Sequence, residues 1–262
     1  MTKRVFKKPI SVGSPGSRPK LAISKEETQI DAHSLAGGLR AWWQADAGFM
    51  SGSVVEWLDR IGSKRLSAQS LPTGAVSIPV MQPAAIKGRA AVSFNNTSLI
   101  APNDQTFFPM AADFSFAAVC KLVPTDAGII VANQAPFANA TYLLRNSTEK
   151  FTFAMNGFSV SGADGSAPSS TTHVVICGYT AATRTLTLRQ NGALVQTQAR
   201  AQHVNQSCGL RIGAHVDGAT ATFAIDGGGL IPLIMAFSGD ITAEGRAADV
   251  ALLENWLIAQ YQ

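Results

Sequence analysis

Acidic residues are the first place to look for chemistry in this chain, and their spacing argues against it. Glu56 and Asp59 stand three apart in a short strand-like segment, Val54 to Arg60. Two carboxylates act as acid and nucleophile, or acid and base, only when they converge on one bond. On a strand, positions i and i+3 project to opposite faces, so this pair diverges. The four histidines, His33, His173, His203 and His215, are scattered and lack the short spacings of a metal site. Asp217-Gly218 and Asp226-Gly227 could lend loop oxygens to calcium, but aspartate before glycine is also ordinary turn wording. No Ser/His/Asp arrangement can be traced. The residues predict no catalytic group, no metal and no cofactor.

Recognition is the next possibility. Trp42 and Trp43 suggest a stacking platform for a sugar ring. Neighbours on a strand face opposite sides, so at most one can be offered to a ligand, and core packing is the stronger expectation. The loop Ser161 to Thr172, rich in small polar residues, could carry binding groups or simply connect two strands.

Charge points elsewhere. Residues 1–34 hold seven Lys/Arg and three Asp/Glu, while the rest of the chain holds 14 of each, so the whole net charge of +4 sits in the first 34 residues. Pro9, Pro15 and Pro19, with Gly13 and Gly16 between them, forbid helix there and favour extended backbone. This arm predicts docking on an acidic protein surface. Lys3, Arg4, Lys7, Lys8, Arg18 and Lys20 would pair with carboxylates, and Val5, Phe6 and Ile10 would fill grooves. Nucleic acid is disfavoured as partner, because Phe6 is the arm's only aromatic and no nucleic-acid motif accompanies it.

These groups need elements to hold them. His173 to Val195 spells a hairpin. An apolar run, Val174 to Ile176, leads to Thr185 to Arg189, where Leu186 and Leu188 alternate with polar residues. Asn191-Gly192 then supplies the positive φ angles of a tight turn. Further strands are expected at Ala90 to Phe94, Asp113 to Cys120, Gly128 to Ala132, Tyr142 to Leu144, Phe151 to Met155, Leu210 to Gly213, Thr220 to Ile225 and Leu230 to Phe237. Asn95 to Ser98 reads as a polar loop. Many short strands punctuated by turns predict an antiparallel sandwich. The end departs from that pattern. Val250, Leu253, Trp256, Leu257 and Tyr261 recur at helical spacing, predicting one helix over about 243–260 with Thr242 as N-cap and Glu244 in its first turn.

Cys120 and Cys177 lie in apolar runs and read as buried free thiols, which suits a reducing compartment; Cys208 leaves the count odd. The basic N-terminus is followed by no apolar stretch, so no signal peptide is expected, and no run approaches ~18 apolar residues, so no membrane partner is expected either.

Leu39 to Asp46, Glu56 to Arg60, Ala91 to Phe94, Asp113 to Leu122, the hairpin at 173–195, Leu210 to Gly213 and the helix start Thr242-Ala243-Glu244-Gly245-Arg246, in that order, resemble a laminin-G-like jelly roll of the concanavalin A-like superfamily. The likeness covers Leu39 to Gln262. It implies an all-β, antiparallel jelly-roll sandwich with an extended N-terminal arm (1–34), a domain over 35–262 and one C-terminal helix. Proteins of this shape bind glycans, hydrolyse them or serve as interaction modules, and many single-domain versions belong to bacteriophage virions. Glycosidases of the superfamily share a Glu-x-Asp-x-Glu strand that this chain lacks, so the expectation is non-enzymatic. Two departures stand out: Leu230 to Phe237 carries no acid where relatives often do, and Gly245 replaces a stronger helix former. The leading expectation is a virion structural protein made in the host cytoplasm, a capsid decoration protein. Its arm would bind the major capsid protein or another virion protein, as a homo-oligomer or in multiple copies on the lattice, and its body could reach host surface glycans. The alternative is a freestanding glycan-binding module, or an adhesion component of a tail fibre or baseplate.

Overall fold

The computed structural model describes residues 38–50, 55–61, 64–69, 78–101, 106–123, 128–133, 140–199, 209–217, 220–222, 224–225 and 227–262. The arm expected over 1–34, and with it Lys3, Arg4, Val5, Phe6, Lys7, Lys8, Ile10, Arg18 and Lys20, lies outside them. So do Cys208, His33 and His203.

The described chain opens with β1 (Leu39–Gln44), the short helix α1 (Ala45–Gly48), β2 (Phe49–Met50), β3 (Glu56–Leu58) and β4 (Arg65–Gln69). Next come β5 (Val80–Ile86), β6 (Arg89–Phe94), β7 (Ser98–Ala101), β8 (Phe114–Lys121) and β9 (Gly128–Asn133). Three hairpin-linked pieces follow, β10 (Thr141–Arg145), β11 (Phe151–Met155) and β12 (Phe158–Ser161). The expected central hairpin is β13 (His173–Thr180), β14 (Thr185–Gln190) and the return strand β15 (Ala193–Gln198). Last are β16 (Leu210–Ile212), β17 (His215–Asp217), β18 (Thr220–Thr222), β19 (Gly229–Phe237) and the helix α2 (Ala247–Tyr261). Asn156-Gly157 and Asn191-Gly192 both take positive φ, as tight hairpins require.

Two antiparallel sheets face each other. One runs β15-β14-β13-β8-β19-β6-β5, with β1 also paired to β19; the other runs β12-β11-β10-β9-β16-β7-β4-β3-β2. The expected all-β sandwich is therefore present. Between the sheets lies a core that includes Trp43, Trp57, Phe94, Phe114, Phe116, Phe151, Phe153, Leu186 and Leu188, all buried. A second apolar layer lies on the outer face of the eight-stranded sheet, where Val250, Leu253, Trp256, Leu257 and Tyr261 of α2 cover Trp42, Val174, Ile176, Leu233 and Met235. The unbroken run at 174–176 follows from this arrangement. Val175 faces the other sheet and its neighbours face the helix. Arg189 fastens the layer by donating from Nε and Nη2 to the two carboxylate oxygens of the buried Glu254, at 2.8 and 2.9 Å.

The helix begins later than expected, at Ala247 rather than 243. Thr242 does not cap it, because its N–H and hydroxyl both donate to Asp240 Oδ1, at 2.8 and 2.6 Å. Gly245 has φ +86° and belongs to the turn before the helix, which accounts for a glycine at that place. Arg246 takes the N-cap position, and the first-turn acid is Asp249 rather than Glu244.

Candidate functional site

The acids come to rest as fold braces. Glu56 pairs with Arg65 at 2.9 Å. Asp59, buried, accepts the N–H groups of Ile61 (2.6 Å) and Lys64 (3.1 Å) and shapes the loop after β3. The two do not converge. Asp240 accepts from Thr180 Oγ1 (2.6 Å) as well as Thr242, and Asp113 accepts the Ala181 N–H (2.7 Å), so both hold the β13–β14 end of the sandwich. Among the described residues no three His, Cys, Asp or Glu side chains gather as a metal site. The two Asp-Gly pairs weighed for calcium lie largely outside the description: Gly218 and Asp226 are not described, nor is the Asp217 side chain. Cys120 and Cys177 are buried free thiols, and burial pushes Cys120 up to about 12 and Cys177 higher still.

Burial also raises the Asp240 pKa, against the pull of its three donors. A folded value above the unfolded ~3.9 means the native state holds the proton more firmly. That favours folding in acid and is lost as pH rises through the folded value. Asp240→Asn should therefore leave stability at pH 7 unchanged or higher by up to ~1 kcal/mol. Asparagine keeps an acceptor for Thr242 and offers a donor to Thr180. Urea unfolding between pH 4 and 7 checks this; a variant markedly weaker than wild type at pH 7 would contradict it.

Trp42 and Trp43 are 1% and 0% exposed, so neither forms a platform. They face opposite sides as expected, but β1 has cover on both. The Ser161–Thr172 loop is braced throughout. Arg145 Nε donates to Ala167 O (2.8 Å), the Ser169 N–H and hydroxyl donate to Glu149 (3.1 and 2.7 Å), and Gln190 Nε2 donates to Ser166 O (2.8 Å). His173 lies beneath, its Nε2 3.0 Å from Pro168 O, and burial lowers its pKa. At the loop's end a shallow groove of about 340 Å³ is lined by Thr171, Thr172, Asn191, Tyr261 and Gln262. Its amides are already engaged: Gln262 Nε2 donates to Thr172 O (2.8 Å) and Asn191 Oδ1 (2.6 Å). That loop is chiefly a connection.

The outer face of the nine-stranded sheet differs in kind. Leu210 and Ile212 of β16 point into the core, so Arg211 between them points away from it. Register sets Arg211 beside Ala132 of β9 on one side and Ile100 of β7 on the other, and Ala132 in turn beside Tyr142 of β10. One row thus reads Tyr142, Ala132, Arg211, Ile100, with Ser67 of β4 beyond. Tyr142 is half-buried against Ile129, Ala132 and Leu144, and burial raises its hydroxyl pKa. Small Ala132 separates the two long side chains, about 10 Å or two strand spacings apart, and is itself fully covered, as are Ile129 and Ser98. Ser98, Thr152, Ser159 and Ser161 add hydroxyls to the same sheet. Sequence reasoning did not single out Arg211 or Tyr142. The signal was there in Leu210-Arg211-Ile212, where strict alternation turns an arginine away from the core.

No protein-family model matches the chain, and no curated protein matches it in sequence. Solved structures do match in shape. Domain 4 of AbnA, an extracellular arabinanase of family GH43 from Geobacillus stearothermophilus solved with arabinotriose, superposes over 82% of this chain and 98% of that domain, with TM-score 0.58 and 12% identity. The likeness is to its fold. A sialidase from Trypanosoma rangeli, in complex with sialic acid, matches over 83% of this chain with TM-score 0.59 and 10% identity, and the chain spans about a third of its length, 32%. The binding domain of botulinum neurotoxin serotype D gives TM-score 0.57 at 12% identity, over 84% of this chain and 51% of that one.

Proposed function

We propose that this chain is a non-enzymatic glycan-binding sandwich, with its site on the outer face of the nine-stranded sheet. The row Tyr142–Ala154–Ser159, at the β10–β12 end of that face, carries the reading. It sets a half-buried aromatic ring beside the exposed Ser159 and the half-buried Thr152 and Ser161, and a ring with neighbouring hydroxyls is what a sugar uses for stacking and orientation. The other outer face is closed by α2 and offers no such row. Asp59, Asp113, Asp240 and Glu56 are spent on backbone N–H groups, hydroxyls and an arginine, which supports binding rather than turnover. The arabinanase domain, matched over nearly its whole length, shows that a sandwich of this outline can hold an oligosaccharide. The expectation of a virion partner stands on the family resemblance and on the arm over residues 1–34, and the arm lies outside the described residues.

The test is titration of the full chain with a panel of neutral and acidic polysaccharides, read by calorimetry. Saturable binding to at least one is expected, weakened on the order of tenfold in Tyr142→Ala, the loss of about 1.4 kcal/mol of ring contact. Absence of saturable binding across the panel would overturn the reading.

A further inference from the structure

Gln196 joins the two sheets at their rim. Its strand, β15, is the last of the eight-stranded sheet, and Gln196 pairs with the buried Leu188, so it points toward the other sheet. Across the rim is β12, the last strand of the nine-stranded sheet. There Gln196 Oε1 accepts the Ser161 N–H at 2.7 Å. That bond fixes the amide. With the oxygen held by backbone, Nε2 is turned away from it and donates to no described residue, although Gln196 is exposed.

Register sets what else faces this rim. Gly162 N–H donates to Phe151 O at 3.0 Å, and bonded and non-bonded pairs alternate along the ladder from there. Phe153–Val160 is thus a bonded pair, while Thr152–Ser161 and Ala154–Ser159 are not. Ser159 and Ser161 therefore turn their N–H and C=O groups off the sheet, on the side of Gln196. Ser161 gives its N–H to the amide, while the exposed Ser159 has no described partner for its own. Thr152 Oγ1 and Ser161 Oγ, 2.8 Å apart, add a pair of hydroxyls on the outer face. Tyr142 stands two strand spacings, about 10 Å, from Ser159 in the same row.

None of these groups carries a charge. The charged side chains that flank them in sequence are already matched: Lys150 meets Asp164 at 2.8 Å and Arg145 meets Glu149 at 2.8 Å. A carboxylate or sulfate placed here would give up water with no described cation to receive it. A hydroxyl, which both donates and accepts, finds Gln196 Nε2 and the N–H, C=O and Oγ of Ser159.

We infer that Gln196, with Ser159, orients a neutral saccharide whose ring lies toward Tyr142. The inference rests on the glycan-binding reading and narrows it to uncharged sugars. Recognition divides between the two ends of the row. The tyrosine gives ring contact to any saccharide, while the fixed amide and the strand edge select by hydroxyl position.

Gln196→Glu in the full chain isolates the amide nitrogen, because glutamate keeps an acceptor for the Ser161 N–H and loses the donor. Thr197→Glu is its control: Thr197, also exposed, pairs with Thr187 and puts the same charge on the opposite face of β15. Dextran, linear arabinan and polygalacturonate are the probes, titrated well below the melting transition of each variant. Wild type is expected to bind at least one of the two neutral polymers, and polygalacturonate on the order of tenfold more weakly. Gln196→Glu should weaken the neutral polymer about tenfold, and Thr197→Glu should leave it unchanged. Equal losses in the two variants would overturn the inference, since charge and not the donor would then be felt. Preference for polygalacturonate, or neutral binding that Gln196→Glu leaves untouched, would sink this assignment while sparing the glycan-binding reading. Absence of all binding would sink both.

Discussion

Gly178→Val is expected to cost ~4 kcal/mol or more in urea unfolding, enough to remove most of the stability of an ordinary domain. Gly178 lies within β13, paired to Ser115 on β8 and Thr187 on β14. A Cβ there would overlap Asp240 Oδ1 and sit 2.6 Å from Thr242 Oγ1 and 2.7 Å from Asp240 Cγ. Neither neighbour has anywhere to go. The aspartate is fixed by Thr180 and Thr242, and the strand is clamped on both sides. Any displacement therefore strips donors from a buried carboxylate, at ~1–3 kcal/mol for each unmet group, on top of the steric cost. Unfolding within ~1 kcal/mol of wild type would show that this contact is softer than its geometry implies.

Trp42→Ala should cost ~3–5 kcal/mol and should loosen α2 before the rest of the domain. Trp42 is 1% exposed, meets Trp256 edge-to-face with ring centroids 5.4 Å apart, and lies under the Arg60 guanidinium at 4.4 Å. It contributes to the layer between helix and sheet and not to the layer between sheets. Hydrogen exchange should accordingly accelerate across Ala247–Tyr261 while β8 and β13 stay protected. Trp43→Ala, which strikes the inter-sheet core, should lower protection everywhere at once. Helix amides that exchange as slowly as in wild type would contradict the assignment of Trp42 to the helix layer.

The strands that could be read beforehand are those whose burial depends on a face. Phe151 to Met155 and Thr185 to Arg189 alternate because one side meets the core, and β11 and β14 stand where that alternation placed them. Strands decided by neighbours were illegible. In β5, Pro83 and the positive φ of Ala84 would ordinarily break a strand, yet an edge strand tolerates both through a bulge between Gln82 and Ile86. Ser98, read as loop, begins β7 because Gln69 and Arg211 supply partners from distant sequence. The false helix start has the same origin. Thr242-Ala243-Glu244 has local capping wording, but Asp240 captures the threonine first. For the candidate site, alternation alone predicts that Arg211 faces outward. That it meets Ser98 rather than an acid there is a property of β7 and β9, the two strands laid beside it.

Strand β19 has one edge divided between two partners: β6 takes Gly229–Ile231 and β1 takes Leu233–Phe237, while β8 pairs along the opposite edge. The first described strand is thus zipped to the last, nearly two hundred residues downstream. A ribosome delivers β1 long before its mate exists, so the nascent chain must carry an open slot, with Trp42 and Trp43 uncovered, until β19 has been made. Such late closure makes folding slow and leaves the unfinished product dependent on protection from aggregation.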